Sequence, residues 1–230
     1  MAELEKPMFG NIKGKFGKAV FRQRNGINYI AQRPSSYTVP ATEAYQHRTT
    51  KFRISSKIAA VINSIPTLKS LWKLCTPENL SAYNYLISVN YNALNNDQTV
   101  GRIKIAPDSK VGVRLDSVEL TTDKLTVNLH PLTEHSLIDT SLEKKVKLIA
   151  LLVLSKPVDN NTADFEVLEL VSPTKTFELN TALSFDLFIS TSDELKIALY
   201  QNKSIHSSLF TFTNDDNVVN NSSTFSHTLV

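Results

Sequence analysis

The sequence predicts an α+β protein with an extended basic N-terminal arm that contains a hairpin, two to three helices, and then an antiparallel Ig-like β-sandwich. Three observations predict this class. Four of the six glycines fall within the first 26 residues, apolar residues recur at helical spacing from residue 42 onwards, and from about residue 101 they recur at every second position. Such an order is typical of an adaptable segment followed by amphipathic helices and then by half-buried strands.

The chain divides by pattern into four predicted parts. These are the basic assembly arm with its hairpin (1–40), a helical segment (41–100), the all-β Ig-like sandwich (101–213) and a tail (214–230). The tail is rich in Asn, Ser, Thr and Asp, and we expect it to be disordered because such a segment buries little apolar surface.

The arm carries the strongest local signal in the chain. Asn25-Gly26 separates two β-prone runs, and this dipeptide favours a type I′ turn, in which both central residues have positive φ. A two-residue loop fixes the pairing of the strands. Phe21 is expected opposite Ile30 on one face, and Arg22 opposite Tyr29 on the other.

The helical segment begins at Thr42, which has the residue type of an N-cap, and Pro66 is expected to end or kink the first helix. A short piece, Leu68–Leu74, follows, and Thr76-Pro77-Glu78 has the pattern of a third helix start. The predicted apolar stripe of the first helix consists of Phe52, Ile58, Ala59, Ile62 and Ile65.

About eight strands are predicted in the second half of the chain. The run Val146–Ser155 is almost continuously apolar, as in a central strand that is buried on both faces. Alternation predicts strands at 183–189 and again at Leu195, Ile197 and Leu199. Closely spaced strands with polar turns are typical of an antiparallel sandwich.

The formal charge is divided unevenly along the chain. Residues 1–75 hold 13 Lys and Arg against three Asp and Glu, a charge of +10, whereas residues 76–230 hold 12 against 19, a charge of −7. This asymmetry indicates a surface that meets another macromolecule.

The basic arm is the candidate partner-binding site. Its basic residues alternate along the sequence with aromatic and apolar ones, and the candidate set is Lys13, Lys15, Phe16, Lys18, Phe21, Arg22, Arg24, Tyr29, Ile30 and Arg33. Such a set can follow a phosphate backbone while its aromatic rings stack on bases. It can equally pair with an acidic protein surface, such as that of a neighbouring copy, by strand addition. Protein is the favoured partner, since no nucleic-acid-binding motif is present.

No catalytic, cofactor or metal site is predicted, although a site composed only in three dimensions would leave no such trace. The arm's glycines lack the Lys-Ser/Thr ending of a phosphate-binding loop, and neither His-Glu-x-x-His nor Gly-x-Ser-x-Gly occurs. His130, Glu134 and His135 lie close together in sequence, but Pro131 keeps them off a helix, so we expect an exposed turn. The single cysteine, Cys75, has apolar neighbours that predict a packed thiol.

No run of 18 apolar residues occurs, so neither a transmembrane helix nor a membrane partner is expected. The first residues include acids and lack an apolar leader, which predicts a protein made and kept in the cytoplasm; incorporation in a virion or another particle is the alternative.

The stretch from Gly14 to Pro34, followed by Thr42, Arg48 and Phe52, resembles the start of a family of uncharacterised bacterial and phage-associated proteins. The shared features are a Gly-rich basic segment, a hairpin and an Arg-bearing helix, and the resemblance covers about residues 9–65. It implies a non-enzymatic structural protein of a virion or another large multimeric assembly, and it carries over no catalytic residue. The predicted function is therefore an assembly subunit of a homo- or hetero-oligomer, and the alternative is a nucleic-acid-binding protein that uses the same arm.

Overall fold

The computed structural model describes residues 2–4, 14–24, 27–33, 36, 42–94, 103–159 and 162–229. The chain forms two compact units, Met1–Gln46 (unit 1) and His47–Val230 (unit 2). The α+β class and the antiparallel pairing of the strands agree with the sequence prediction.

Unit 1 contains one antiparallel sheet. Its strands are β1 (Ala2–Leu4), β2 (Gly14–Phe16), β3 (Ala19–Arg24) and β4 (Ile27–Gln32), in the order β1-β4-β3-β2. The predicted hairpin register is confirmed, since every pair from Arg24 with Ile27 to Ala19 with Gln32 is present. The turn type at Asn25-Gly26 lies outside the described residues.

Three helices come next: α1 (Glu43–Ser64), α2 (Pro66–Cys75) and α3 (Ala82–Ala93). Thr42 caps α1 as predicted, since its Oγ1 accepts a hydrogen bond from the Tyr45 N–H at 3.3 Å. Pro66 is the first residue of α2 and therefore separates it from α1, because proline has no N–H to continue the earlier helix.

The predicted start of the third helix at Thr76-Pro77-Glu78 is wrong. The Thr76 hydroxyl donates to the Trp72 carbonyl at 2.6 Å and so satisfies the end of α2 rather than the start of α3. Ser81 takes the N-cap position instead, with its Oγ accepting from the Asn84 N–H at 3.2 Å.

Nine strands lie in unit 2 among the described residues: β5 (Leu115–Leu120), β6 (Lys124–Leu129), β7 (Lys145–Pro157), β8 (Phe165–Val171), β9 (Lys175–Thr176), β10 (Leu183–Phe188), β11 (Tyr200–Phe212), β12 (Val218–Asn221) and β13 (Phe225–Leu229). One sheet has the order β10-β6-β5. The second, six-stranded sheet has the order β12-β11-β7-β8, with β13 also paired to β11 and β9 to β7.

The six-stranded sheet is covered on both faces, as the apolar run in β7 predicts. Ile149, Leu151 and Val153 face a core that they share with the buried sides of α1, α2 and α3. Leu148 and Leu152 face a second core, which they share with β6 and β10 of the smaller sheet. Unit 2 is thus layered as helices, large sheet and small sheet.

The strand predicted at Leu195, Ile197 and Leu199 is a helix, α4 (Thr191–Ala198). The Ser190 hydroxyl accepts from the Asp193 N–H at 3.2 Å, and the Lys196 ammonium donates to the Asp193 carboxylate at 2.7 Å. This capped turn outweighs a period-two pattern of only three apolar residues.

The predicted disordered tail is also wrong. Residues 218–221 and 225–229 are strands β12 and β13, which together cover the free edge of β11. The tail is held by hydroxyl groups as well as by the ladder, since Thr224 Oγ1 accepts from the N–H groups of Ile105 and Ala106 at 3.0 and 3.3 Å. A polar composition is compatible with order when its side chains satisfy backbone groups elsewhere.

Two predicted core positions lie at the surface. Phe52 is 56% exposed, and Ile54 is buried in its place on α1. Cys75 is an exposed free thiol at the end of α2, not a packed one.

Candidate functional site

The candidate residues of the arm are placed by strand alternation in unit 1. Along β3, successive side chains point to opposite faces of the sheet, so Phe21 and Arg22 lie on different faces. Their cross-strand partners on β4, Ile30 and Tyr29, follow the same division. One face is therefore apolar at its middle, at Phe21 and Ile30, and polar at Asn28 and Gln32; it is called the apolar face. The other face presents Arg22 beside Tyr29 and is called the basic face.

The basic face carries the charged candidates. Arg22 lies opposite Tyr29, and Lys15 on β2 lies opposite Val20, two residues before Arg22 on the same face. Arg33 continues the alternation of β4 by one residue, and its N–H donates to the Lys18 carbonyl at 2.6 Å. The side chains of Lys15, Lys18, Arg22 and Arg33 are exposed.

The apolar face carries Phe16, Phe21 and Ile30. Phe21 lies between Gly14 on β2 and Ile30 on β4, and Phe16 lies opposite Ala19. Phe21 and Ile30 are half-buried, whereas Phe16 is 79% exposed. A phenylalanine so exposed on a sheet face is a candidate contact for a partner molecule.

Two of the candidates have no described side chain. Lys13 lies outside the described residues, and Arg24 is placed only by its backbone, opposite Ile27 at the end of β3. Seven of the other eight candidates lie on the sheet or in its β2–β3 turn, where Gly17 has a φ of +58°, and Arg33 directly follows β4.

The structural units change the charge distribution that the sequence indicates. Residues 1–46 hold seven basic and three acidic residues, a charge of +4, and residues 47–230 hold 18 basic and 19 acidic residues, a charge of −1. The basic residues of α1 belong to unit 2, where Arg53 pairs with Asp164 at 2.7 Å and Lys57 with Glu166 at 2.8 Å. The expected acidic body is therefore nearly neutral as a unit.

A buried histidine is the most perturbed titratable group of unit 2. His206 on β11 is 1% exposed, and its Nδ1 is hydrogen-bonded to the Ser226 Oγ of β13 at 2.7 Å. Burial lowers the pKa of His206 to about 4, so the imidazole is neutral at physiological pH. Sequence reasoning did not single it out, because a lone histidine in a strand gives no signal of its burial.

The described residues contain no group of three or more His, Cys, Asp or Glu side chains placed to hold a metal ion. Within the same residues, no helix combines the length and the apolar character needed to cross a bilayer.

In comparisons with known proteins, no family model and no curated sequence matches this chain. The resemblance of residues 9–65 to phage-associated proteins therefore stays a prediction.

Proposed function

We propose that this protein is a non-enzymatic structural subunit that joins neighbouring copies in a large multimeric assembly, such as a phage-like virion, through the sheet of unit 1. The observation that carries this proposal is the apolar face of that sheet, on which Phe16 is 79% exposed beside the half-buried Phe21 and Ile30. Sheets are stabilised by a second layer over their apolar face, and a neighbouring subunit supplies such a layer.

The separation of the faces favours a protein partner. A platform for single-stranded nucleic acid combines basic and stacking aromatic side chains along one groove. Here two of the three aromatic candidates, Phe16 and Phe21, lie on the face opposite to Arg22. An apolar patch is instead typical of the core of a protein interface. Within this proposal, unit 2 is an Ig-like sandwich with helices added to the outer side of its larger sheet.

The basic face supports the alternative, a nucleic-acid-binding function. Lys15, Arg22 and Arg33 share that face with Tyr29, which is one ring available for stacking. Binding of this kind falls steeply with salt, with a log–log slope of about −0.7 to −0.9 per neutralised phosphate. Three results together would favour this alternative: binding to DNA or RNA with a steep salt dependence, loss of that binding in Arg22→Gln, and no self-association of the protein.

The decisive experiment compares two exposed phenylalanines in the full-length chain by light scattering over a range of concentrations. Phe16→Ser removes a ring from the proposed interface, and Phe188→Ser removes a 70% exposed ring from unit 2 as the matched control. We expect the wild type to associate, Phe16→Ser to weaken association by roughly tenfold or more, and Phe188→Ser to leave it unchanged. A wild type that stays monomeric at every concentration, or two variants that behave alike, contradicts the proposal.

A further inference from the structure

A groove of about 600 Å³ lies in unit 2, far in sequence from the arm. One wall is the segment before β5, with Gly112 and Arg114, and the other is the segment after β6, from His130 to Ser136. Backbone hydrogen bonds join the walls, since the His130 N–H donates to the Arg114 carbonyl at 3.0 Å and the Gly112 N–H to the Ser136 carbonyl at 3.3 Å. The groove is therefore held open by the fold, and its volume is in the range of small-molecule sites.

The polar lining of the groove includes one cationic side chain, Arg114. Arg114 is exposed and makes no ion pair or side-chain hydrogen bond with the part of the chain that the structure describes. The His130 Nε2 lies 3.6 Å from the Asp116 carboxylate, beyond hydrogen-bond distance. The hydroxyl of Thr133 and the amide of Asn180 also line the groove, and no acidic side chain does.

The groove also has an apolar lining. Pro131 is exposed and Val113 is half-buried, whereas Leu132 is 1% exposed and belongs to the core beneath them. The backbone at Leu132 is held in place by a hydrogen bond, since its carbonyl accepts from the Asn180 N–H at 2.7 Å. The groove thus offers a rigid apolar surface beside a cationic one, which is the composition of sites for small organic anions.

One residue of the lining and one residue beside it have a left-handed backbone. Asn180 has a φ of 63°, and Leu137, which directly follows Ser136, has a φ of 56° although it is neither Gly nor Asn. A left-handed conformation of this kind costs roughly 1–3 kcal/mol and persists where the surrounding structure imposes it, often at ligand sites. Leu137 is also 60% exposed, so its own burial does not account for the conformation.

We propose that this groove binds a small carboxylic acid, whose carboxylate pairs with the Arg114 guanidinium and whose apolar part lies on Pro131 and Val113. The planar fork of arginine matches the two oxygens of a carboxylate, and Thr133 and Asn180 contribute polar side chains to the same groove. The site is independent of the arm and goes beyond the assembly function proposed above.

The test uses benzoate as the probe and NMR chemical-shift titration of the full-length protein as the readout. We expect saturable shifts confined to the amides of Gly112, Thr133, Asn180 and their neighbours. Benzamide has the same shape without the charge, and it should bind at least tenfold more weakly. Arg114→Gln should weaken benzoate binding by tenfold or more, whereas Arg53→Gln, the matched control on α1, should leave it unchanged.

The comparison of benzoate with benzamide uses only the wild type, so it decides the matter even if a variant folds poorly. Arg114→Gln is expected to fold, because its side chain is exposed and contributes no hydrogen bond to the described structure. Any of three results overturns the proposal: no saturable shift up to about 10 mM benzoate, equal binding of benzamide, or equal benzoate binding by Arg114→Gln and the wild type.

Discussion

Acidification should destabilise unit 2 through one residue, His206. The imidazole is buried between β7, β11 and β13, where Leu151 and Ser226 are its cross-strand neighbours. Its second ring nitrogen, Nε2, lies 3.4 Å from the Ser204 Oγ. The protonated ring would thus be a cation among hydroxyl groups and apolar side chains, and the cost of burying that charge lowers its pKa to about 4.

The direction follows from proton linkage. In the unfolded chain, histidine takes up a proton as the pH falls below about 6.5, whereas the native state does not until the pH approaches 4. Acid therefore favours the unfolded state between these two values, and the contribution of His206 is complete above pH 6.5. The difference corresponds to about 2 kcal/mol at pH 5 and about 3 kcal/mol at pH 4.

Urea unfolding of the wild type and of His206→Asn, at several pH values from 7.5 to about 4.5, measures this contribution. The variant is expected to be less stable than the wild type at neutral pH. Between neutral pH and pH 5, however, its free energy of unfolding should fall by about 2 kcal/mol less than that of the wild type. His227→Asn, a substitution at an exposed position of β13, is the matched control and should keep the wild-type slope. Identical pH slopes for the wild type and His206→Asn would refute the reasoning.

Three further predictions follow from the same structure. Asn90→Leu should lower the free energy of unfolding by about 2–3 kcal/mol in urea titrations, because the buried Asn90 amide accepts from the Lys104 N–H at 2.9 Å and donates to two carbonyls. Asn92→Leu, at an exposed position of the same helix, should change this free energy little, and equal effects of the two substitutions would contradict the role of the Asn90 amide. Deletion of residues 214–230 should abolish the cooperative thermal transition of unit 2, since it exposes the edge of β11; an unchanged transition would mean that these strands are dispensable. Deletion of residues 1–40 should leave a folded protein that is monomeric by light scattering, because both cores of unit 2 lie after residue 47. If the shortened protein associates as strongly as the full chain, the arm is not the assembly element.

The parts of the fold that were predictable from sequence are those in which short-range chemistry decides the structure. The register of β3 with β4 follows from a two-residue loop, since any slip would exchange the faces of Phe21 and Arg22. The break at Pro66 follows from a missing N–H. The burial of β7 on both faces follows from its apolar run, because a strand with one solvent-exposed face would alternate apolar and polar residues.

The errors at Thr76 and at α4 are local, since side-chain caps within one turn decide those two structures. The error in the tail arose where distant residues decide the structure. The tail has too few apolar side chains to predict order, and it is ordered by pairing with β11 and by the Thr224 hydroxyl, which accepts from two N–H groups more than 100 residues earlier. The groove was not predictable from the sequence, because its lining comes from three separated segments around Arg114, His130 and Asn180. Only Pro131, which keeps His130 off a helix, gave a local hint of an irregular wall.

The uneven distribution of charge along the chain has a different meaning once the basic residues of α1 are counted with unit 2. Arg53 and Lys57 neutralise acids of the chain's own β8 region, so the charge available to the arm is the +4 of residues 1–46 and not the +10 of residues 1–75. Attraction between such an arm and a nearly neutral unit 2 of a neighbour is weak at physiological salt, where exposed charges are screened beyond about 8 Å. Burial of an exposed ring such as Phe16 is worth about 25 cal/mol per Å² of apolar surface and is hardly affected by salt. The apolar face is therefore the expected source of affinity in the proposed assembly, and the basic face of Lys15, Arg22 and Arg33 is left to orient the partner.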